Sequence, residues 1–149
     1  MVDVYQVSAV LAAVGVLVGV VYYILDMRNQ TRIRQIDLVL RLSSTLDSKE
    51  FAEAFTKIVS SNAKTADELR KECFPAELIM IGNFYERTGA LLKRRLADPS
   101  LIADILAVSE IWEKIRPWVM DVRQKTNDPY LFESFEYLYN EMKKREQRQ

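Results

Sequence analysis

Two carboxylate pairs, Glu110 with Glu113 and Glu133 with Glu136, stand at i, i+3 spacing, which sets both members of each pair on one side of a helix. Such a pair can begin a divalent-metal site or an acid–base site when further ligands converge on it. The further ligands are missing. The 149 residues contain no histidine, which removes the usual base near neutral pH, the commonest zinc ligand and every Ser-His or Cys-His nucleophile pair. A metal site of carboxylates alone would need more acids on one inner face than the spacing supplies, so both pairs read as solvated surface. The single thiol, Cys73 beside Phe74, reads as a small buried apolar residue, since only Arg70 and Lys71 lie near enough in sequence to activate a thiolate. No catalytic, cofactor-binding or metal-binding residue is assigned, no cofactor is implied, and the chain is not expected to be an enzyme.

Binding chemistry has one stronger candidate. In "IGNFYERTG", Gly82 and Gly89 lie seven residues apart and therefore on one helix face, with Asn83 and Glu86 beside them. Glycine inside a helix costs about 1 kcal/mol relative to alanine, so something should compensate. Two readings compete: close packing against a neighbouring helix, or a partner or ligand touching bare backbone at Gly82, Asn83, Glu86 and Gly89. The interior around Phe84, Glu86 and Trp112 discriminates them, because a filled interior means a scaffold and a hollow, polar one means a ligand site.

The elements that would carry these residues begin with a membrane segment. Val4 to Leu25 contains no charged residue, and a helix of that length reaches about 33 Å, enough for a hydrocarbon core of about 30 Å. Tyr5 at one end and Tyr22 and Tyr23 at the other stand where amphipathic rings prefer the headgroup level. A cleaved signal peptide is disfavoured by the length of the run and by the lack of a basic start in Met1-Val2-Asp3. Arg28, Arg32, Arg34 and Arg41 follow the span, and no basic residue precedes it. The positive-inside rule then puts the N-terminus outside and the following domain in the cytoplasm of a single-pass cell-membrane protein. Arg28, Arg32 and Arg34 are also candidate contacts for anionic lipid headgroups.

Within the span, Ser8, Ala12, Gly15 and Gly19 form a stripe of small residues. Either another helix packs closely on it or it faces lipid. Two basic clusters, Lys93-Arg94-Arg95 and the tail from Lys143, would complement helix C-termini or touch headgroups. Acids and bases nearly balance beyond the span, so a general nucleic-acid binder is not expected.

Hydrophobic content of 49% with 28% charged residues fits a folded protein, and only four glycines and four prolines disfavour an all-β design. The predicted class is all-α: one N-terminal transmembrane helix continuing, without a flexible linker, into a bundle of about five helices. The first helix should run to about Leu46, with Ile33, Ile36 and Leu40 on its apolar face. Asp47 with Glu50 and Thr65 with Glu68 read as capping pairs for two short helices. Pro75 opens a helix to about Leu96. Asp98-Pro99 and Asp128-Pro129 repeat one start signal, an acidic N-cap and then proline in the first turn. Leu101, Ile105, Val108, Trp112, Ile115, Val119 and Val122 predict one continuous seam helix, which Pro117 must either kink or split. The last helix carries Leu131, Phe135, Leu138 and Met142. The domain reading is an anchor over 1–27, a bundle over 28–142 and a charged tail over 143–149.

The helix Asn83–Gly89, the turn into Asp98, the segment Ile111–Pro117 and the closing Phe135–Leu138 together resemble a family of small uncharacterised prokaryotic membrane proteins, a domain of unknown function. The likeness covers roughly residues 30–142. It implies one span followed by a helical domain, and no reaction. The expected role is a membrane-anchored interaction or accessory module that packs with another membrane protein or with itself. The alternative is a membrane-tethered signalling or effector domain that binds a small ligand in its bundle.

Overall fold

The computed structural model describes residues 3–148, so Met1, Val2 and Gln149, at the outer ends of the predicted anchor and tail, lie outside the described residues. Among the described residues the protein is all-α, with seven helices and no strand: α1 (Val4–Leu46), α2 (Lys49–Ser60), α3 (Ala66–Glu72), α4 (Pro75–Lys93), α5 (Pro99–Ile105), α6 (Val108–Thr126) and α7 (Glu133–Glu146). The chain divides between Leu40 and Arg41 into two compact units.

The first unit is helix α1 up to Leu40. It contains neither proline nor a break, and it is long and apolar enough to cross a membrane. Its apolar side chains are exposed except Leu38 and Val39, which are half-buried. Ile33, Ile36 and Leu40, expected to line the bundle, are 56%, 51% and 63% exposed, and the one buried residue of α1 is Leu42. Helical spacing fixes which residues share a face and leaves open what covers that face.

The second unit is built around α4, which packs on α7 and α2, while α6 packs on α7, α3 and α2. Leu78, Ile81 and Tyr85 of α4, Ile111, Trp112 and Ile115 of α6, and Phe135 and Leu138 of α7 are all buried and form the core of this unit. Local signals set most helix starts. Thr65 and Glu68 form the predicted capping box, and the Asp98 carboxylate accepts from the Ser100 amide at 2.7 Å. The cap of α2 is one residue later than expected: Ser48, not Asp47, accepts from the Phe51 amide. At the end of α4, Arg95 takes a left-handed backbone (φ 58°) and the Leu96 amide donates to the Leu91 carbonyl, a closure usually made with glycine.

Two expectations of helix boundaries fail, each for a non-local reason, and the alternative left open at Pro117 is decided. The seam helix is two helices: Leu106 is extended (φ −115°, ψ 130°), and the break turns Ile102 and Leu106 inward while Leu101 and Ile105 stay half-buried. The second unit therefore has six whole helices instead of about five. Pro117 does not split α6, which runs on to Thr126; the carbonyl it leaves unpaired belongs to Glu113, on the exposed side. Asp128-Pro129 does not start a helix either. Asp128 accepts from the Tyr130 amide at 3.0 Å, as an N-cap would, yet residues 129–132 form a turn and Phe132 goes left-handed before α7 begins at Glu133.

Candidate functional site

Helix α7 has no side-chain cap of its own, because its N-cap residue is Phe132. Its first amides still find acceptors. Glu133 N–H donates to the Tyr130 carbonyl at 3.0 Å and Glu136 N–H to Phe132 at 3.1 Å. The remaining two, Ser134 and Phe135, donate to the two carboxylate oxygens of Glu86 at 3.2 and 2.8 Å. A carboxylate on α4 thus caps a helix 48 residues away in sequence. It meets both the orphan amides and the positive end of the α7 dipole.

The two glycines of α4 make this approach possible. A Cβ on Gly89 would lie 2.0 Å from the Ser134 carbonyl oxygen, so α4 and the start of α7 touch backbone to backbone. A Cβ on Gly82 would lie 2.9 Å from the Phe132 ring. Gly82, Glu86 and Gly89 are therefore turned to the chain's own α7 and the turn before it, and the surface they form is internal. Asn83 is exposed on another side of α4.

Behind that joint the interior is filled by aromatic rings. Tyr85 stacks on Phe135 at 4.7 Å, Trp112 meets Phe135 edge-on at 4.9 Å, and Phe84 meets Tyr85 and Phe51 edge-on at 5.3 and 4.8 Å. The Tyr85 hydroxyl is buried and has no hydrogen-bond partner among the described residues. Burial, and then the charge of Glu110, push its pKa well above the ordinary phenol value. Tyr85 also lines a cleft of about 300 Å³ together with Phe51, Phe55, Ile105, Leu106 and Ala107.

Three of the four carboxylates of the candidate pairs are taken up by ion pairs. Glu113 receives Lys143 at 3.3 Å and the Tyr139 hydroxyl at 3.3 Å. Glu133 pairs with Lys93 at 3.0 Å, and Glu136 with Arg123 at 2.8 Å. Arg123 also donates to the Leu131 carbonyl at 2.8 Å, which ties the 129–132 turn to α6. Cys73 is buried, and burial pushes its thiol up, away from reactivity. Among the described residues no group of three or more acids, cysteines or histidines is placed to hold a metal. Lys143 and Lys144 of the tail pair with Glu146 and Glu141.

On α1 the small stripe is open. A Cβ on Gly15 or Gly19 would meet nothing within 4 Å, Ala12 is exposed, and the Ser8 hydroxyl donates to its own helix at Tyr5. Arg28, Arg32 and Arg34 are all exposed.

Sequence reasoning missed the amides of Ser134 and Phe135, the Tyr85 hydroxyl and the reach of Arg123. The signal for the first was present as a gap: α7 lacks a capping residue at its start, and Glu86 stands between two glycines on one face.

These features define an all-α protein with one helix long and apolar enough to cross a membrane and a closely packed helical unit after it. The chain belongs to the family described as domain of unknown function DUF4760, which matches residues 9–142. The match includes most of the apolar run of α1 as well as the helical unit. No curated protein and no solved structure matches the chain.

Proposed function

We propose that this protein is a single-pass membrane protein whose cytoplasmic helical unit serves as an interaction or accessory module, held against another membrane protein or a second copy by its anchor. In this reading α1 crosses the bilayer between Val4 and Leu25, the N-terminus is outside, and Arg28, Arg32 and Arg34 stand at the anionic inner headgroups. The observation that carries the reading is the filled interior. Where a ligand site would need a polar hollow, Tyr85 stacks on Phe135, Trp112 closes on Phe135 edge-on, and Glu86 is committed to the amides of α7.

The test is cross-linking of the full chain in native membranes at native abundance, read by mass spectrometry. The reading requires cross-links from α1 or the helical unit to one defined membrane protein or to a second copy. A chain that stays monomeric and uncross-linked would overturn it. A reporter after Gln149 should be cytoplasmic, and a cysteine at residue 2 should react with an impermeant reagent added outside. Labelling only in broken cells would reverse the orientation.

One observation favours the second reading, a small-ligand domain. Tyr85, whose buried hydroxyl has no partner among the described residues, is one of the residues lining the apolar cleft, so an apolar molecule whose single hydrogen-bond acceptor reached that hydroxyl would satisfy it. Tyr85→Phe removes that donor without changing shape. Under the ligand reading it weakens binding of such a molecule; under the scaffold reading it leaves the protein as stable or more so.

A further inference from the structure

Because α1 is unbroken, one helical register runs along all of it. The small stripe Ser8, Ala12, Gly15 and Gly19 advances by four, three and four residues. Continued in the same alternation, the register passes through Tyr22, Asp26 and Asn29, where the chain leaves its apolar run. It then reaches Ile33, Ile36 and Leu40, the apolar residues left uncovered beyond the span. Two faces that look separate in the sequence are a single heptad seam. A heptad period is the one that stays on a partner helix under left-handed supercoiling. The seam also changes with the solvent as such a contact requires. Small residues let backbones approach inside lipid, where hydrophobicity gives no drive, and large aliphatic ones supply burial in water.

We propose that this seam binds a second copy of the same chain, parallel and in register, from Ser8 to Leu40; the inference rests on the interaction-module reading and names its partner. Charge identifies the occupant. In this register Arg32 directly precedes the core position Ile33, and Asp37 directly follows the core position Ile36. In a parallel pair these flanking positions meet across the interface, so Arg32 of each chain faces Asp37 of the other. An antiparallel pair would join the Arg32 flank of one chain to the same flank of the other, and the Asp37 flanks likewise, and would lose this pairing. Two copies inserted with the same topology are parallel of necessity. The polar positions Asp26 and Asn29 interrupt the seam where it leaves the apolar run and fix the register at some loss of affinity. Asp26 faces its own copy, a like-charge pair that weakens the dimer.

The test uses two differently tagged full-length copies expressed together in membranes, with a photo-cross-linking amino acid placed singly at each of residues 28–41. Dimers carrying both tags should peak at 29, 33, 36 and 40 and fall away at 34, 35 and 38. Arg32→Glu should reduce the dimer about fivefold, the joint change Arg32→Glu with Asp37→Arg should restore it, and Asp26→Asn should strengthen it. Periodic cross-links to a different protein would overturn self-pairing and leave the interaction reading intact. Aperiodic cross-links, or none, would overturn the seam as a binding face altogether.

Discussion

Two pairs of glycines sit on two helices of this protein and meet opposite surroundings. On α4, Gly82 and Gly89 are pressed against the 132–135 segment, close enough that a methyl group would strike a ring or a backbone carbonyl. On α1, Gly15 and Gly19 have open space where a methyl group would go. The contrast extends to the large residues. Every fully buried bulky side chain belongs to the second unit, whereas Ile33, Ile36, Leu40 and the aliphatic residues of the apolar run are exposed on α1. The second unit buries most of its large apolar side chains against one another, with Phe74, Ile79, Leu96 and Tyr130 left exposed, and finds acceptors even for the first amides of α7. The first unit carries the same small and aliphatic residues on faces that are exposed. A glycine pair on one helix face is thus a statement about distance of approach; whether the approaching group is the same chain or something else is decided elsewhere.

Breaking that contrast at Gly89 should have the largest effect. Gly89→Ala puts a carbon where the Ser134 carbonyl oxygen stands, and the obstruction is backbone that cannot rotate away. The α4–α7 joint must separate, at a loss of about 3 kcal/mol or more. Urea unfolding of the detergent-solubilised full chain, followed by tryptophan fluorescence, would read it. Gly15→Ala should leave the same midpoint unchanged. Equal midpoints for both variants would remove the distinction between the pairs.

Next in size is the carboxylate at the same joint. Glu86→Ala abandons the Ser134 and Phe135 amides at the start of α7 and should cost about 2 kcal/mol. Glu86→Gln keeps one acceptor and should cost about half as much. Amide exchange at Ser134 and Phe135 should quicken in both variants, more in the alanine one. If exchange there is unchanged while stability falls, the carboxylate acts through packing and not as a cap.

What the sequence could and could not reveal about this joint follows from range. The apolar run is one uninterrupted stretch of sequence, and the Thr65–Glu68 box and the Asp98-Pro99 start involve residues within four positions of one another; each is legible. Asp128-Pro129 shows the same local pattern and even makes the same local hydrogen bond, but Phe132 turns left-handed to place its ring against Gly82 and Trp118. That decision depends on residues far along the chain. The break at Leu106 is equally invisible, since the apolar steps of four and three run straight across it. At the candidate face, the spacing of Gly82 and Gly89 revealed that something approaches closely. It could not reveal that α7 does so, because Glu86 caps a helix that announces no cap of its own.

Acid should act on the second unit with a smaller effect. The Ser100 hydroxyl, followed by its amide, holds the Asp98 carboxyl below the usual range, and Lys57 does the same for Glu77. A carboxylate depressed on folding lends stability that is whole above its unfolded value, about pH 4, and is lost as pH falls through the lower folded value. Thermal midpoints of the full chain should therefore be level from pH 7 to about pH 5 and decline below about pH 4. Asp98→Asn, which keeps an acceptor for the Ser100 amide and carries no charge, should flatten part of that decline. An unaltered acid profile in this variant would show that the α5 cap contributes nothing to it.

The smallest effect is expected at Gly82, where two terms oppose each other. Alanine is the better helix former by about 1 kcal/mol, which favours Gly82→Ala. Against this, the new methyl group lies 2.9 Å from two atoms of the Phe132 ring, so the ring must give by a few tenths of an ångström. Trp118 lies beside that ring at 5.6 Å, and Phe132 is already in a left-handed backbone, so its room to move is small. The strain should slightly exceed the propensity gain, for a net loss under about 1 kcal/mol. A double-mutant cycle isolates the two terms. Phe132→Leu alone should destabilise through lost packing on Trp118. In that background the shorter side chain leaves space, and Gly82→Ala should change sign and stabilise by about 0.5 kcal/mol. Urea midpoints of the four chains give the coupling directly. Additive midpoints would mean that Gly82 is not held against Phe132, and that this glycine, unlike Gly89, belongs with the open pair on α1.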